Sequence, residues 1–264
     1  MNEQSPAVLS EQQGAVALIT LNRPEALNSM NTALRVQLRD ALRNVAADPQ
    51  LRAVVLAAAG RAFCAGADLK QMITGKSDGT EVGRQLEQEY GRGISEICEM
   101  AKPVIAAVEG LVAGIGCAYM LASDLVVMAE DAYFTLPFHN IALVPDGGIT
   151  WLLERQIGAR RAFELAVECE RVPAARCYEL GLANRLAPKG TATQLALQWA
   201  QRLAQRPSQA IAHTKRLLRQ AAGVDFKQGL RNEIEAQTRC VDSADFREGV
   251  AAFLEKRAPK FQTR

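Results

Sequence analysis

Apolar positions along this chain fall into two rhythms. Short runs of Val, Leu and Ile mark strands, and stripes spaced three and four apart mark helices. Gly14–Leu21 (GAVALITL) predicts a strand hairpinned to Ala7–Ser10 across Glu11–Gly14. Leu51–Ala58 (LRAVVLAA) and Pro103–Val108 (PVIAAV) predict buried strands, and Leu125–Ala129 and Ala132–Thr135 two shorter ones. Between them, Met30–Ala47 carries Leu34, Leu38, Ala41, Leu42 and Val45 on one helical face and stops at Asp48-Pro49. Thr80–Met100 predicts a second helix ended by Lys102-Pro103, and Ala113–Leu121 a helix of small residues. Strands that are apolar throughout and separated by helices imply a mostly parallel sheet covered by helices, an α/β class. The β,β,α rhythm suggests a structural repeat, although no sequence repeat is present.

The pattern changes near residue 150. Ala159–Cys169, Ala174–Leu180, Ala192–Gln205, Ser208–Ala222, Phe226–Cys240 and Phe246–Arg257 all have helical periodicity, and only Asn184–Ala187 could return to the sheet. Composition narrows the picture. The chain has 264 residues, 48% of them hydrophobic and 23% charged, which implies one large core with a smaller appendage rather than disorder. A net charge of +2 gives no reason to expect nucleic acid or an anionic membrane as partner. Pro103–Ala129, the most apolar stretch, is interrupted by Glu109, Asp124 and glycines, so no membrane span is expected. Met1–Ser10 contains Glu3 and no Lys or Arg, unlike a secretory leader or transit peptide. The six cysteines form no CxxC pair and fit buried thiols in a reducing cytoplasm. With two histidines, His139 and His213, no His-rich metal site is expected.

Two loops carry candidate chemistry. Arg61–Leu69 (RAFCAGADL) follows a strand, and its Ala-Gly-Ala lets a ligand approach free backbone N–H groups closely. Glu109–Ala118 (EGLVAGIGCA) follows a strand and opens a helix, whose first N–H groups have no internal partners and would stabilise an oxyanion. Taken singly, the first reads equally as a tight connection and the second as small-residue helix packing.

The pair, in order along the chain, resembles the crotonase (enoyl-CoA hydratase/isomerase) superfamily. The resemblance extends over Leu21–Asn28 (LNRPEALN), the AFCAGADL loop, KPVIAAVEG with its GIG turn, Leu143–Gly148 (LVPDGG), Asp245–Val250 and Phe253–Arg257. It implies a crotonase-like ββα spiral with mostly parallel sheets, residues 1–200, plus a C-terminal helical trimerisation region, residues 201–264. It also implies an acyl-CoA substrate whose thioester oxygen lies between the N–H groups of Ala67 and Ile115. The CoA moiety would run past Arg23, Ala26, Ala65, Asp68 and Leu69, with Phe253 and Lys256 at the nucleotide end, often across a subunit boundary. Further implications are a homotrimer or dimer of trimers, no permanently bound cofactor beyond the CoA of the substrate, and no metal. The acyl tail would lie against Gln71–Leu86, whose Gly75–Gly79 segment reads as mobile.

Hydratases of this superfamily use two glutamates, and the matching positions here are Ala118 and Phe138, which transfer no proton. The remaining carboxylate is Asp146, which resembles the single acid/base of an enoyl-CoA isomerase-like subgroup. Read locally, Asp146 is instead an N-cap for a helix starting near Gly148. Asp68 reads as fixing its loop, Cys64 as a packed thiol and His139 as a loop histidine satisfied by backbone. Phe63, Phe134 and Trp151 read as core, and the charges in Arg155–Arg161 and Glu168–Arg171 as a solvated face. The first functional reading is therefore an enoyl-CoA isomerase using Asp146, Ala67 and Ile115. The alternatives are a hydratase with a non-standard acid/base and a non-catalytic acyl-CoA-binding homologue.

Overall fold

In a computed structural model, which describes residues 5–74 and 78–262, the N-terminal hairpin forms from β1 (Val8–Gln13) and β2 (Val16–Leu21). The first strand is longer than expected. It runs through Glu11–Gln13 in register Val8↔Leu21 to Gln13↔Val16, so the turn shrinks to Gly14 and Ala15, with Gly14 at φ +63°. Next come α1 (Thr32–Ala47), β3 (Ala53–Ala58), β4 (Ala62–Cys64) and α2 (Leu69–Thr74). The expected helix over 80–100 is α3 (Gly79–Gln85), a π-helical turn over Leu86–Gly91 and α4 (Arg92–Glu99). Of the Gly75–Gly79 segment, residues 75–77 lie outside the described residues, as do residues 1–4 of the N-terminal stretch.

The chain continues through β5 (Val104–Val108), β6 (Leu111–Ala113), α5 (Ile115–Ala122), β7 (Leu125–Ala129) and β8 (Tyr133–Thr135). The successive pairs β3/β4, β5/β6 and β7/β8 divide between two sheets, giving the repeat its structural form. One sheet has order β1-β2-β3-β5-β7-β10, the other β4-β6-β8-β9, and every neighbour is parallel except β1-β2 and β8-β9. The remaining elements are α6 (Ile149–Ile157), α7 (Ala159–Glu168), β9 (Val172–Pro173), α8 (Ala174–Glu179), β10 (Arg185–Ala187), α9 (Ala192–Ala204), α10 (Ser208–Ala221), α11 (Phe226–Val241) and α12 (Ala244–Leu254). Asn184–Ala187 does return to the sheet, as β10 beside β7.

Both faces of β3 are buried, which is why its sequence is apolar throughout. Val54 and Leu56 face the main core with Leu34, Leu38 and Leu42 of α1. Ala53, Val55 and Ala57 face Ala192, Ala196, Ala200 and Ala204, a stripe of small residues every fourth position that lays α9 close on the sheet. Residue 200 therefore falls inside a helix that packs along its whole length on one sheet, and α10 begins beyond it. Phe63 and Phe134 are fully buried, as expected. Trp151 is not a core residue. The inward face of α6 is Ile149, Leu152, Leu153 and Ile157, so Trp151 is 47% exposed and stacks under the Arg155 guanidinium at 3.7 Å. Among the described residues, no helix is long and apolar enough to cross a membrane.

Candidate active site

The two loops singled out in the sequence meet back to back. A Cβ on Gly66 would lie 3.6 Å from Gly114 Cα, and one on Gly114 would lie 3.4 Å from Gly66 Cα. Both glycines have positive φ, +99° and +53°, a backbone conformation that favours glycine. The residue after each presents an amide with no acceptor. Met30 forms an isolated parallel bridge with Ala67. Its N–H donates to Gly66 O at 2.8 Å and its carbonyl accepts from Asp68 N at 3.3 Å, which leaves the intervening Ala67 N–H pointing the other way. Ile115 is the first residue of α5, where no intrahelical acceptor exists and the helix dipole adds partial positive charge. Among the described residues, neither amide donates to a protein acceptor.

Asp146 stands on the turn that covers this spot. A Cβ on the next residue, Gly147 (φ +61°), would lie 2.3 Å from Ile115 Cδ1 and 3.0 Å from Ala118 Cβ. The aspartate turn is thus pressed against Ile115 and against Ala118 one helical turn on. The cap alternative fails. Gly148, in the left-handed conformation, is the N-cap of α6 and no side chain caps the helix; only the Asp146 carbonyl is used, accepting from Ile149 N at 3.1 Å. Among the described residues, Asp146 Oδ1 is buried without a partner. Burial raises its pKa from 3.8 to about 6, only partly opposed by its own backbone N–H. Ala118 and Phe138 are buried and carry no titratable group.

Five of the expected CoA contacts come together. Arg23 Nη1 pairs with Asp68 Oδ2 at 3.2 Å, and Ala65 N donates to Leu27 O at 3.0 Å, joining the Arg23–Leu27 turn that holds Ala26 to the strip Ala65–Leu69. Asp68 Oδ1 also accepts from Gln71 N at 3.3 Å, so this aspartate does fix its loop. Phe253 and Lys256 sit at the C-terminal end of α12, both exposed.

Four supporting residues, Asn28, Arg35, Glu89 and Tyr90, were not anticipated. Asn28, fully buried at φ +54°, accepts from Arg23 N at 2.7 Å and donates to Ala59 O at 2.9 Å and Ala62 O at 2.8 Å. Arg35 and Glu89 form a buried ion pair at 2.7 Å, with the Tyr90 ring 5.2 Å from the guanidinium. Arg35 Nη1 and Tyr90 Oη both reach Met30 O, at 3.3 and 3.5 Å, bracing the strand that pairs with Ala67. The available signal was a charge beside Leu34 and Leu38 on the apolar face of α1. The π-helical turn brings Glu89 and Tyr90 inward together.

The Cys64 thiol is pushed up to about 12 by complete burial, which matches an inert packed side chain. His139 is exposed on a 3-10 turn. Among the described residues, no group of three or more His, Cys, Asp or Glu is placed to hold a metal ion. An apolar hollow of about 690 Å³ lies elsewhere, between Met120, Leu121, Val126 and helix α10, and its Asp124 is already paired with Lys215 at 2.7 Å and Arg219 at 3.1 Å.

The chain is similar to known proteins along nearly its whole length. Residues 11–264 match the family described as enoyl-CoA hydratase/isomerase. The chain is 36% identical over 255 residues to the 1,2-epoxyphenylacetyl-CoA isomerase of Escherichia coli, covering 96% of this chain and 97% of that one. It is 34% identical over 260 residues to the 2,3-dehydroadipyl-CoA hydratase of the same organism, covering 98% and 100%. Among solved structures, an enoyl-CoA hydratase from Polaromonas sp. JS666 superposes with a TM-score of 0.92 at 35% identity over 97% of this chain and 99% of that one.

Proposed function

This chain belongs to the enoyl-CoA hydratase/isomerase family of acyl-CoA enzymes, with the α/β crotonase fold, and within it we propose an enoyl-CoA isomerase that moves a double bond by one-base proton transfer. The Ala67 and Ile115 amides receive the thioester oxygen. The Asp146 carboxylate removes a proton from C2 of a 3-enoyl thioester, and the electron pair delocalises into a dienolate whose negative oxygen the two amides stabilise. Asp146 then returns the same proton to C4, leaving a 2,3 double bond and a regenerated carboxylate. Arg23, Ala26, Ala65, Asp68 and Leu69 flank the CoA moiety. Phe253 and Lys256 meet its nucleotide end from α12.

The observation that carries this reading is the buried Asp146 oxygen, unpartnered among the described residues, on a turn whose Gly147 packs against Ile115, while the residues matching the hydratase glutamates are Ala118 and Phe138. A carboxylate lifted to about 6 is mostly ionised at neutral pH, yet its conjugate acid returns a proton readily. Hydration needs a water held and activated by a second polar group, and the three side chains nearest to Gly147 on the aspartate turn (Ile115, Ala118 and Ile94) are apolar. The relative named as an isomerase supports the reaction class. The relative named as a hydratase supplies the competing one.

The enzyme is expected to convert a 3-enoyl-CoA into the conjugated 2-enoyl-CoA, followed by growth of the conjugated-thioester absorbance. Loss of that absorbance from a 2-enoyl-CoA, with a hydroxyacyl product and no isomer, would establish hydration instead. Because the ionised form of Asp146 is the base, kcat/KM is expected to fall about tenfold per pH unit below a single break near 6. A profile flat from pH 5 to 8 would remove Asp146 from the rate-limiting proton transfer.

A homotrimer or dimer of trimers is part of the same proposal. Phe226, Ile234, Phe253 and Leu254 are each more than half exposed on α11 and α12, an apolar surface suited to cover by another copy.

A further inference from the structure

Resting on the reading of Ala67 as an oxyanion donor, we propose that Arg23 is a positioning residue that polarises the Ala67 amide through two intervening peptide groups. The path is continuous. Arg23 Nη1 donates to Ser29 O at 2.5 Å. Ser29 O and Met30 N–H belong to one peptide unit, and that N–H donates to Gly66 O at 2.8 Å. Gly66 O and Ala67 N–H belong to the next peptide unit, and Ala67 N–H ends the path without a protein acceptor. A carbonyl that accepts a hydrogen bond withdraws electron density from its own N–H, so each donor in such a chain strengthens the one after it. A guanidinium at the head makes the first link charge-assisted.

The local fold is built to close this path. Leu27 and Asn28 both adopt left-handed φ, +51° and +54°, which folds the chain back until Ser29 O lies against the Arg23 side chain. Asn28 locks that turn by accepting from Arg23 N at 2.7 Å. Asp68 Oδ2, 3.2 Å from the same Nη1, holds the guanidinium in place. The two amides of the site are therefore strengthened by different means. Ile115 N–H shares a peptide unit with Gly114 O, which accepts the neutral Cys117 N–H at 2.9 Å, and this amide relies on the helix dipole. Ala67 has no helix behind it and receives its polarisation from a cation.

A pure CoA ligand and a polarising residue respond differently to substitution, and the infrared position of the thioester carbonyl separates them. The probe is butyryl-CoA labelled with ¹³C at the carbonyl, which binds but has no double bond to move, at saturating concentration. In the unaltered enzyme the carbonyl band is expected to shift to lower frequency than in free butyryl-CoA. In Arg23→Gln the shift is expected to shrink by about a third, with kcat at saturating 3-enoyl-CoA reduced about 5- to 10-fold, a fraction of what losing a whole donor costs. Arg23→Lys, which restores the charge without the fork, is expected to fall between. An Arg23→Gln complex with the unaltered band position and kcat, and only a raised KM, overturns the relay and leaves the two-amide site standing. An unshifted band in the unaltered enzyme overturns the site itself. Should Arg23→Gln fail to fold, Arg23→Lys is decisive, because a band identical to that of the unaltered enzyme then overturns the relay.

Discussion

Asp146→Asn is expected to reduce kcat for 3-enoyl-CoA isomerisation by about 10³-fold, within the range of about 10² to 10⁴ that a positioned acid/base supplies. Asn keeps the size and shape of the side chain and removes only the ability to take a proton. The dissociation constant for a non-reacting acyl-CoA is therefore expected to stay within about threefold, because the two amides and the CoA contacts are untouched. Rapid-mixing assays of turnover and titration with butyryl-CoA measure the two quantities separately. Retained turnover would show that the proton travels by another group.

The same substitution has an opposite effect on stability. Asp146 has a higher pKa folded, about 6, than its ordinary 3.8, so the unfolded chain gives up this proton first. Folding is therefore unpenalised below about pH 4, and the penalty grows as pH rises from there to about 6 and then stays constant. At neutral pH it amounts to about 2 kcal/mol, allowing for the partial exposure of the group. Asp146→Asn removes it, so the variant is expected to melt several degrees higher at pH 7 and at the same temperature at pH 4. A thermal melt at the two pH values tests the sign directly. An equal change at both would mean that packing rather than charge is responsible. A side chain that costs stability and caps no helix fits a group retained for chemistry.

This aspartate also marks the limit of what the sequence discloses. Within Val144–Gly148 the residue types fit an acid/base and a helix cap equally. The decision comes from Gly148, whose left-handed φ takes the capping position and leaves the carboxylate free. The long strands were legible because β3 and β5 are buried on two faces and so are apolar at every position. β4 and β6 were not, since Ala62–Cys64 and Leu111–Ala113 are too short for any period to appear and lie in loops already explained by glycine. The π-helical turn and the Arg35–Glu89 pair were equally hidden. They join residues 54 positions apart, and neither residue type announces the other. Trp151 was misread because aromatic character alone does not say which side of a helix faces inward. The sequence carried the two donor loops through their order and small residues, while the support of Ala67 by Met30 needed coordinates.

Gly114→Ala is expected to cost about 10²- to 10³-fold in kcat, the effect of misplacing one oxyanion donor. Gly114 has φ +53° and ψ −131°, a conformation that an L side chain adopts only under strain. Its new methyl would stand 3.4 Å from Gly66 Cα, an ordinary contact, so the cost comes from the backbone angle. Relief of that strain rotates the peptide that carries Ile115 N–H. The movement lengthens a hydrogen bond that matters only when charge builds on the thioester oxygen, so kcat suffers more than KM. Gly158→Ala serves as the comparison. Gly158 is also at positive φ, +79°, with no atom within 4 Å of the added methyl, and it lies between α6 and α7. Its substitution carries backbone strain of similar kind, about 1–3 kcal/mol, away from the donors. Both variants are expected to melt at lower temperature, but only Gly114→Ala is expected to lose turnover at saturating substrate. If the two fall together in stability and both keep kcat, the contact between Gly66 and Gly114 is a packing feature and the oxyanion is held elsewhere.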